Sequence, residues 1–257
     1  MIDLRKGDCL EVMKTIDGGS IDAIITDPPY GTTACKWDSV IDFELMWEQL
    51  NRIIKPNGAI VLFGSEPFSS ALRMSNIKNY KYDWIWEKSM PTGMATSSFM
   101  PMKYHEIISV FVNKGKSTFN KQLAERSEIG KAKLKNNGKI LNGKKSNGNH
   151  IGKSKLQGTY SQYNITKVNP KTVLKFKSVP NCNGTKQHPT QKPVALMEYL
   201  IKTYTNENET VLDFTMGSGS TMVACQNTKR NGIGIEKDDN YFKIADQRIK
   251  ENEYKLF

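Results

Sequence analysis

The stretch Thr210-Val211-Leu212-Asp213-Phe214-Thr215-Met216-Gly217-Ser218-Gly219-Ser220-Thr221 decides the fold class. Four residues of strand character end in a carboxylate, a turn with two glycines follows, and the chain runs into a helix through Cys225. A second strand, Gly232-Ile233-Gly234-Ile235-Glu236, and a last helix from Asp238 complete the pattern. This is a βαβ unit, which places the chain among α/β proteins with a parallel sheet. The turn shares the G-x-G spacing of nucleotide-binding loops but has no third glycine and no Walker lysine, which argues against a phosphate cradle. Its glycines would let a cofactor without pyrophosphate approach the backbone. Glu236, at the end of the next strand, is placed to accept hydrogen bonds from ribose hydroxyls. A turn that only packs helix on strand is the structural alternative.

The same αβ rhythm runs through the N-terminal half. A strand near Ile2-Lys6 precedes a helix near Leu10-Ile16 and the apolar strand Ile21-Thr26. A helix from Phe43 to Ile54 stops at Lys55-Pro56-Asn57-Gly58, and the strand Ala59-Phe63 follows. A helix over Glu66-Ser75 leads to strands at Tyr82-Glu87 and His105-Val112, joined by a loop, Met90-Met102, suited to flanking a substrate. Trp84 and Trp86 alternate within one strand and so share a face; with Trp37 they read as core. Pro193 sits in the first turn of a helix reaching Tyr204, where its missing N–H costs little.

The strand Ile21-Thr26 ends in Asp27-Pro28-Pro29-Tyr30. That places a carboxylate, a rigid backbone and an aromatic ring at one strand's end. The two prolines fix φ and remove two N–H donors, leaving carbonyls to accept hydrogen bonds from a guest. A planar amino group, such as that of a nucleobase, suits this equipment. A rigid turn with Tyr30 packed as core is the structural alternative.

At 257 residues the chain suits one large α/β domain with an inserted lobe. No apolar stretch approaches the roughly 20 residues of a membrane helix, and the N-terminus lacks the apolar segment of a secretory signal, so cytoplasmic residence is expected. Cys9, Cys35, Cys182 and Cys225 show no C-x-x-C spacing, which suggests neither a zinc site nor a disulfide framework; no metal is expected. The net charge of +11 is unevenly spread. Residues 113–180 hold fifteen Lys and one Arg against two Glu, whereas the rest of the chain carries 21 basic and 24 acidic residues. Such a segment can neutralise phosphates and release counterions, which makes nucleic acid the leading partner. A solvated linker is the alternative reading of its Lys, Asn, Gly and Ser.

Taken together, the chain resembles the DNA amino-methyltransferases whose DPPY catalytic motif precedes the cofactor motif. The likeness rests on Gly7-Asp8-Cys9-Leu10, Thr26-Asp27-Pro28-Pro29-Tyr30, Lys55-Pro56-Asn57-Gly58, His105-Glu106, His188-Pro189-Thr190-Gln191-Lys192-Pro193, Asp213 to Thr221, and Gly234-Ile235-Glu236. It covers most of the chain apart from the basic insert. The resemblance implies a class I S-adenosylmethionine-dependent methyltransferase sheet, Rossmann-like with permuted motif order, in which 211–213 and 233–236 are the first two strands and 2–6 the third. It implies a catalytic domain over 1–112 and 181–257, with 113–180 as the target-recognition insertion. Asp27, Pro28, Pro29 and Tyr30 would be catalytic. S-adenosyl-L-methionine would be held by Asp213, Phe214, Gly217, Ser218, Gly219, Ser220 and Thr221, with Glu236 on its ribose and Asp8 and Cys9 on its adenine. His188, Thr190 and Lys192 would lie toward its methionine end, and Asp27 would border it. The family commonly has Pro where Thr215 stands, which should adjust the turn without removing a ligand.

The chemistry follows from the residues. An exocyclic amino nitrogen conjugated to its ring is a poor nucleophile. The Asp27 carboxylate and Pro28 carbonyl can each accept one N–H, favouring a pyramidal nitrogen whose lone pair faces the methyl donor. Tyr30 would stack on a base flipped out of double-stranded DNA. In the insert, Lys114, Lys116, Lys121, Arg126, Lys131, Lys133, Lys135, Lys144 and Lys145 are the candidate DNA contacts. DPPY is commoner among the adenine-N6 enzymes of this family, with cytosine N4 the alternative. An RNA or protein-glutamine methyltransferase, or a non-catalytic DNA-binding relative, are more distant readings. The family setting is compatible with a homodimer, a companion restriction endonuclease and a bacterial or phage gene. C5 methylation is disfavoured, because no Pro-Cys motif follows a suitable strand.

Overall fold

A computed structural model describes residues 1–31, 39–132, 166–180 and 188–256. Two compact units emerge, one of residues 1–120 with 172–257 and one of residues 121–171.

The larger unit is built on an eight-stranded sheet. In chain order its elements are β1 (Ile2–Lys6), α1 (Cys9–Met13), β2 (Ile21–Thr26), α2 (Phe43–Ile53), β3 (Ile54–Gly64), α3 (Phe68–Ser75), β4 (Tyr80–Thr92) and β5 (Lys103–Phe111). After the smaller unit's strands, β6 (Ala124–Glu125) and β7 (Lys167–Val168), come β8 (Val173–Phe176), α4 (Val194–Tyr204), β9 (Thr210–Asp213), α5 (Ser220–Asn227), β10 (Asn231–Glu236) and α6 (Asp239–Leu256).

The spatial order is β1-β10-β9-β2-β3-β5-β4-β8, with β5 antiparallel to both neighbours and every other pairing parallel. Strands 210–213, 231–236 and 2–6 are thus adjacent and parallel, as expected from the permuted order. The central strands read as near-continuous apolar runs because both of their faces are covered. Ile25, Val61 and Phe63 point into a core with Leu196, Leu200 and Ala224, whereas Ile24, Ile60 and Leu62 point into one with Met46, Leu50 and Ile53.

The α2 helix starts where the Asp42 carboxylate accepts Leu45 N–H at 3.0 Å, and it buries Met46, Trp47, Leu50 and Ile53. The stretch Lys55-Gly58 is not a helix-ending turn that precedes the strand: β3 already begins at Ile54. Its pairing with β2 passes from Ile21↔Ile54 to Ala23↔Ala59, so Lys55-Gly58 is accommodated as an irregularity in the strand. Trp84 and Trp86 are core, and each indole N–H has a partner, the Tyr204 hydroxyl at 2.7 Å and the Phe176 carbonyl at 3.0 Å. Trp37 lies outside the described residues.

Residues 173–180, within the basic stretch, belong to the larger unit. β8 pairs with β4 from Ile85↔Val173 to Lys88↔Phe176 and buries Leu174. In the smaller unit, β6 and β7 pair antiparallel, Arg126 donates to the Lys167 carbonyl at 3.0 Å, and residues 128–132 are helical. Among the described residues, no helix is long and apolar enough to cross a membrane.

The order of strands explains where a site can form. From β9 the chain winds toward β10, whereas from β2 it winds toward β3, so the carboxyl ends of β9 and β2 diverge at a topological switch point. Asp213 ends β9, and Asp27 directly follows β2.

Candidate active site

The two strand ends are buckled together by hydroxyl groups. The buried Asp213 carboxylate accepts the Thr26 and Thr221 hydroxyls, each at 2.5 Å, and the Thr215 N–H at 3.2 Å. Thr215 Oγ1 lies 2.8 Å from Thr26 Oγ1 and donates to the Asp27 carbonyl at 3.1 Å. The residue at which this chain departs from the usual proline therefore ties the glycine turn to the Asp-Pro-Pro-Tyr segment. A proline would supply neither the hydroxyl nor the N–H.

Burial, chiefly, pushes the Asp213 carboxyl up to about 6. A folded-state value above the ordinary 3.8 means that the fold favours the protonated form. Stability from this group therefore rises as pH falls through about 6 and is lost again as pH rises through it. Relative to Asp213→Asn, the wild type is expected to gain about 2 kcal/mol of unfolding free energy between about pH 7 and about pH 4.5. Urea unfolding at the two pH values measures this; a difference that is constant with pH would contradict it.

Two glycines of the turn adopt left-handed conformations. Gly217 has φ +53° and faces the His188 ring, which a Cβ would approach to 3.5 Å. Gly219 has φ +78°, and a Cβ there would meet the Ala245 methyl at 3.0 Å. The Gly217 N–H donates to Glu236 at 2.9 Å, and the Asp238 N–H donates to its other oxygen at 2.7 Å. Burial raises the Glu236 pKa despite these bonds.

A cavity of about 650 Å³ lies over these strand ends. It is lined by Asp8, Cys9, Asp27, Pro28, Pro29, Tyr30, His188, Thr190, Lys192, Asp213, Phe214, Gly217, Ser218, Ser220, Thr221 and Glu236. All the catalytic and cofactor candidates thus meet at one place except Gly219, which shapes the turn from behind. Asp8 caps α1, accepting the Leu10 N–H at 3.1 Å, and pairs with Lys237 at 3.1 Å. Burial would raise its pKa, but those two partners outweigh burial and lower it. Burial pushes the Cys9 thiol up to about 11, so it is a neutral packing group. The His188 ring meets the Tyr241 ring edge-on at 4.1 Å, and its Nδ1 accepts the Thr190 N–H at 3.2 Å.

At the Asp-Pro-Pro-Tyr segment, the Asp27 carboxylate accepts the Tyr30 hydroxyl and the Lys192 ammonium. Tyr30 packs its ring on Phe68, with centroids 5.0 Å apart. The Lys192 ammonium lies between Asp27 and Glu106, 3.3 Å from the latter and 5.2 Å from the Phe63 ring centre. Lys88 sits 3.3 Å from the other Glu106 oxygen. Burial raises the Asp27 pKa, whereas for Lys192 the two carboxylates outweigh burial and hold it above its ordinary value. For Glu106 the two ammonium groups outweigh burial and lower it.

Sequence reasoning assigned no role to Glu106, Lys88, Thr26 or Thr215. One signal was available: Lys88 follows Trp84 and Trp86 at period two and so falls on their buried face. Of the candidate DNA contacts, Lys114, Lys116 and Lys121 are exposed. Arg126 is tied to the Lys167 carbonyl and Lys131 pairs with Glu128 at 2.8 Å. Lys133, Lys135, Lys144 and Lys145 lie outside the described residues.

A sheet of this order, with a glycine turn after one central strand and an Asp-Pro-Pro-Tyr segment after its neighbour, defines a class I methyltransferase fold. The DNA methylase family model, N6_N4_Mtase, matches residues 21–247, and the chain belongs to that family. Among its relatives are the type II methyltransferases M.HpaI of Haemophilus parainfluenzae and M.HinfI of Haemophilus influenzae. The first is 29% identical, with 93% of this chain and 71% of the relative aligned; for the second the figures are 28%, 96% and 68%. Of solved structures, the M1.HpyAVI–SAM complex superposes with a TM-score of 0.63 at 27% identity, covering 97% of this chain and 99% of that one. The cytosine-N4-specific PvuII DNA methyltransferase shares the fold, with a TM-score of 0.65 at 14% identity over 99% and 92% of the two chains. The protein is a DNA methyltransferase of the N6/N4 amino type.

Proposed function

We propose that this enzyme transfers a methyl group from S-adenosyl-L-methionine to the exocyclic amino group of a base flipped out of double-stranded DNA, N6 of adenine in preference to N4 of cytosine. The observation that carries the reading is the shared cavity: Asp27, Pro28 and Tyr30 line the same space as the glycine turn and Glu236. Its volume falls in the range of roughly 300–1,000 Å³ typical of cofactor sites. The backbone at Gly217 carries no side chain toward the cavity, and Glu236 offers a half-buried carboxylate, so the residues suit a nucleoside without pyrophosphate.

S-adenosylmethionine, when bound, supplies an electrophilic methyl group on a sulfonium. The chain's part is to prepare the nucleophile. The Asp27 carboxylate accepts one amino N–H and the Pro28 carbonyl the other, which draws the nitrogen lone pair out of conjugation. The Pro-Pro pair holds both acceptors in place without reorganisation. Because burial raises its pKa, Asp27 is also a better acceptor for the departing proton than an exposed carboxylate. Tyr30 gives the base an aromatic neighbour. Flipping costs a few kcal/mol, which phosphate contacts from exposed lysines such as Lys114, Lys116 and Lys121 help to offset.

The preference for adenine rests on the motif Asp27-Pro28-Pro29-Tyr30, commoner among the adenine enzymes of this family. Nucleoside analysis of mixed-sequence duplex DNA after incubation with enzyme and cofactor tests it: N6-methyladenine is expected. N4-methylcytosine would overturn the choice of base.

A further inference from the structure

The arrangement around Lys192 raises a problem for the clamp. The two oxygens of the Asp27 carboxylate already accept one donor each, Tyr30 on one and Lys192 on the other. A further N–H would share an oxygen with one of them, and an ammonium on the carboxylate weakens it as an acceptor, so release of Lys192 would favour the incoming amino group.

The cluster shows where the ammonium can go. Glu106 Oε2 is 3.3 Å from Lys192 Nζ, but it is buried and receives no well-directed hydrogen bond. A buried carboxylate oxygen in that state calls for an explanation, since such atoms are normally satisfied. The Lys88 contact to Oε1 is also 3.3 Å, longer than the 2.7–2.9 Å or so of a close charge-assisted bond. Lys88 and Lys192 balance Asp27 and Glu106 in charge, so a shift of Lys192 within the group buries no new net charge. The Phe63 ring, 5.2 Å away, offers the cation a surface along which to pass.

We propose that Lys192 is a movable counter-ion: in the free enzyme it closes the Asp27 carboxylate, and when an amino group enters it retires onto Glu106, which is a positioning residue for the reaction. This rests on the methyl-transfer reading above. The device keeps a buried carboxylate neutralised until a substrate replaces its partner. It also selects for guests that bring hydrogen-bond donors of their own.

The groups facing Asp27 are Lys192, Tyr30 and Glu106, with Asp213 on the adjoining strand and Lys88 beyond Glu106. Asp27 must be ionised to accept an N–H, so activity falls on the acid side as it protonates. Removing the negative charge at Glu106 should ease Asp27 ionisation, and removing the positive charge at Lys192 should oppose it. The two variants must therefore move the acid limb of kcat in opposite directions, each on the order of one pH unit. Glu106→Gln moves it to lower pH and lowers kcat/KM for DNA on the order of tenfold, because Lys192 stays on Asp27. Lys192→Met moves it to higher pH. Glu106→Gln should not alter the dissociation constant for S-adenosylmethionine measured by calorimetry.

Impaired packing alone would not separate the limbs in this way. Should Lys192→Met not fold, the isosteric Glu106→Gln carries the test by itself. A Glu106→Gln enzyme with the wild-type rate and acid limb overturns the proposal. So does a Lys192→Met enzyme that loses cofactor affinity with its acid limb unmoved, which would place Lys192 on the cofactor. A wild-type enzyme that leaves duplex DNA unmethylated at every pH overturns the underlying reading, and the proposal with it.

Discussion

Replacing Asp27 by alanine is expected to lower kcat for DNA methylation by about a thousandfold, or about 4 kcal/mol of transition-state stabilisation, with cofactor binding retained. In the proposed reaction the carboxylate is one of the two acceptors for the amino N–H groups, and Glu106, paired with Lys88 and Lys192, is not placed to replace it. The fold should survive. Thr215 bonds the Asp27 main-chain carbonyl rather than the side chain, and Lys192 keeps Glu106 as a partner. The buckle of Asp213 with Thr26, Thr215 and Thr221 does not involve the Asp27 side chain. Single-turnover methyl transfer beside cofactor calorimetry separates the two effects. Activity within tenfold of wild type would remove Asp27 from its role.

The second large effect concerns the floor of the site. Phe63, near the end of β3, is fully buried, pairs in register with Ile108, and belongs to the core shared with α4 and α5. Truncation to alanine removes its dispersion contacts and leaves a cavity between sheet and helices, at a cost of about 3–5 kcal/mol. For a chain of this size that corresponds to a fall in Tm of about 10 °C, measured by thermal unfolding. The Lys192 ammonium also loses the ring beneath it. Phe63→Leu refills most of the volume without the ring, so it should recover most of the stability. Equal losses in the two variants would show that the ring, rather than its volume, matters there.

Much of the fold was legible because the relevant runs are extreme. Strands covered on both faces, such as Ile21-Thr26 and Ala59-Phe63, must be almost wholly apolar, and their termini carry the motifs that meet at the switch point. β8 was harder to see. Its pattern is period-two, with Leu174 and Phe176 on one face and Lys175 on the other, but four residues amid lysines and asparagines look like solvated chain. The early start of β3 was hidden because Lys55-Pro56-Asn57-Gly58 has the composition of a turn, yet the strand carries it as an irregularity.

The site divides in the same way. Residues that act through local geometry, such as Asp27-Pro28-Pro29-Tyr30 and the glycine turn, announce themselves in a few consecutive letters. The ion cluster does not. It depends on the register that pairs Trp86 with Glu106, and on a loop some 80 residues later that brings Lys192 between two carboxylates. The role of Thr215 was likewise invisible, since its hydroxyl matters only through its distance to a strand 189 residues away in sequence.

The central claim is that this cavity methylates an amino group in double-stranded DNA. The most direct measurement supplies the enzyme with S-adenosylmethionine labelled in its methyl group and, in parallel, duplex DNA, RNA and protein as acceptors. Label is expected in the duplex DNA, and it should vanish in Asp27→Ala. Label in RNA or protein with none in DNA would contradict the account.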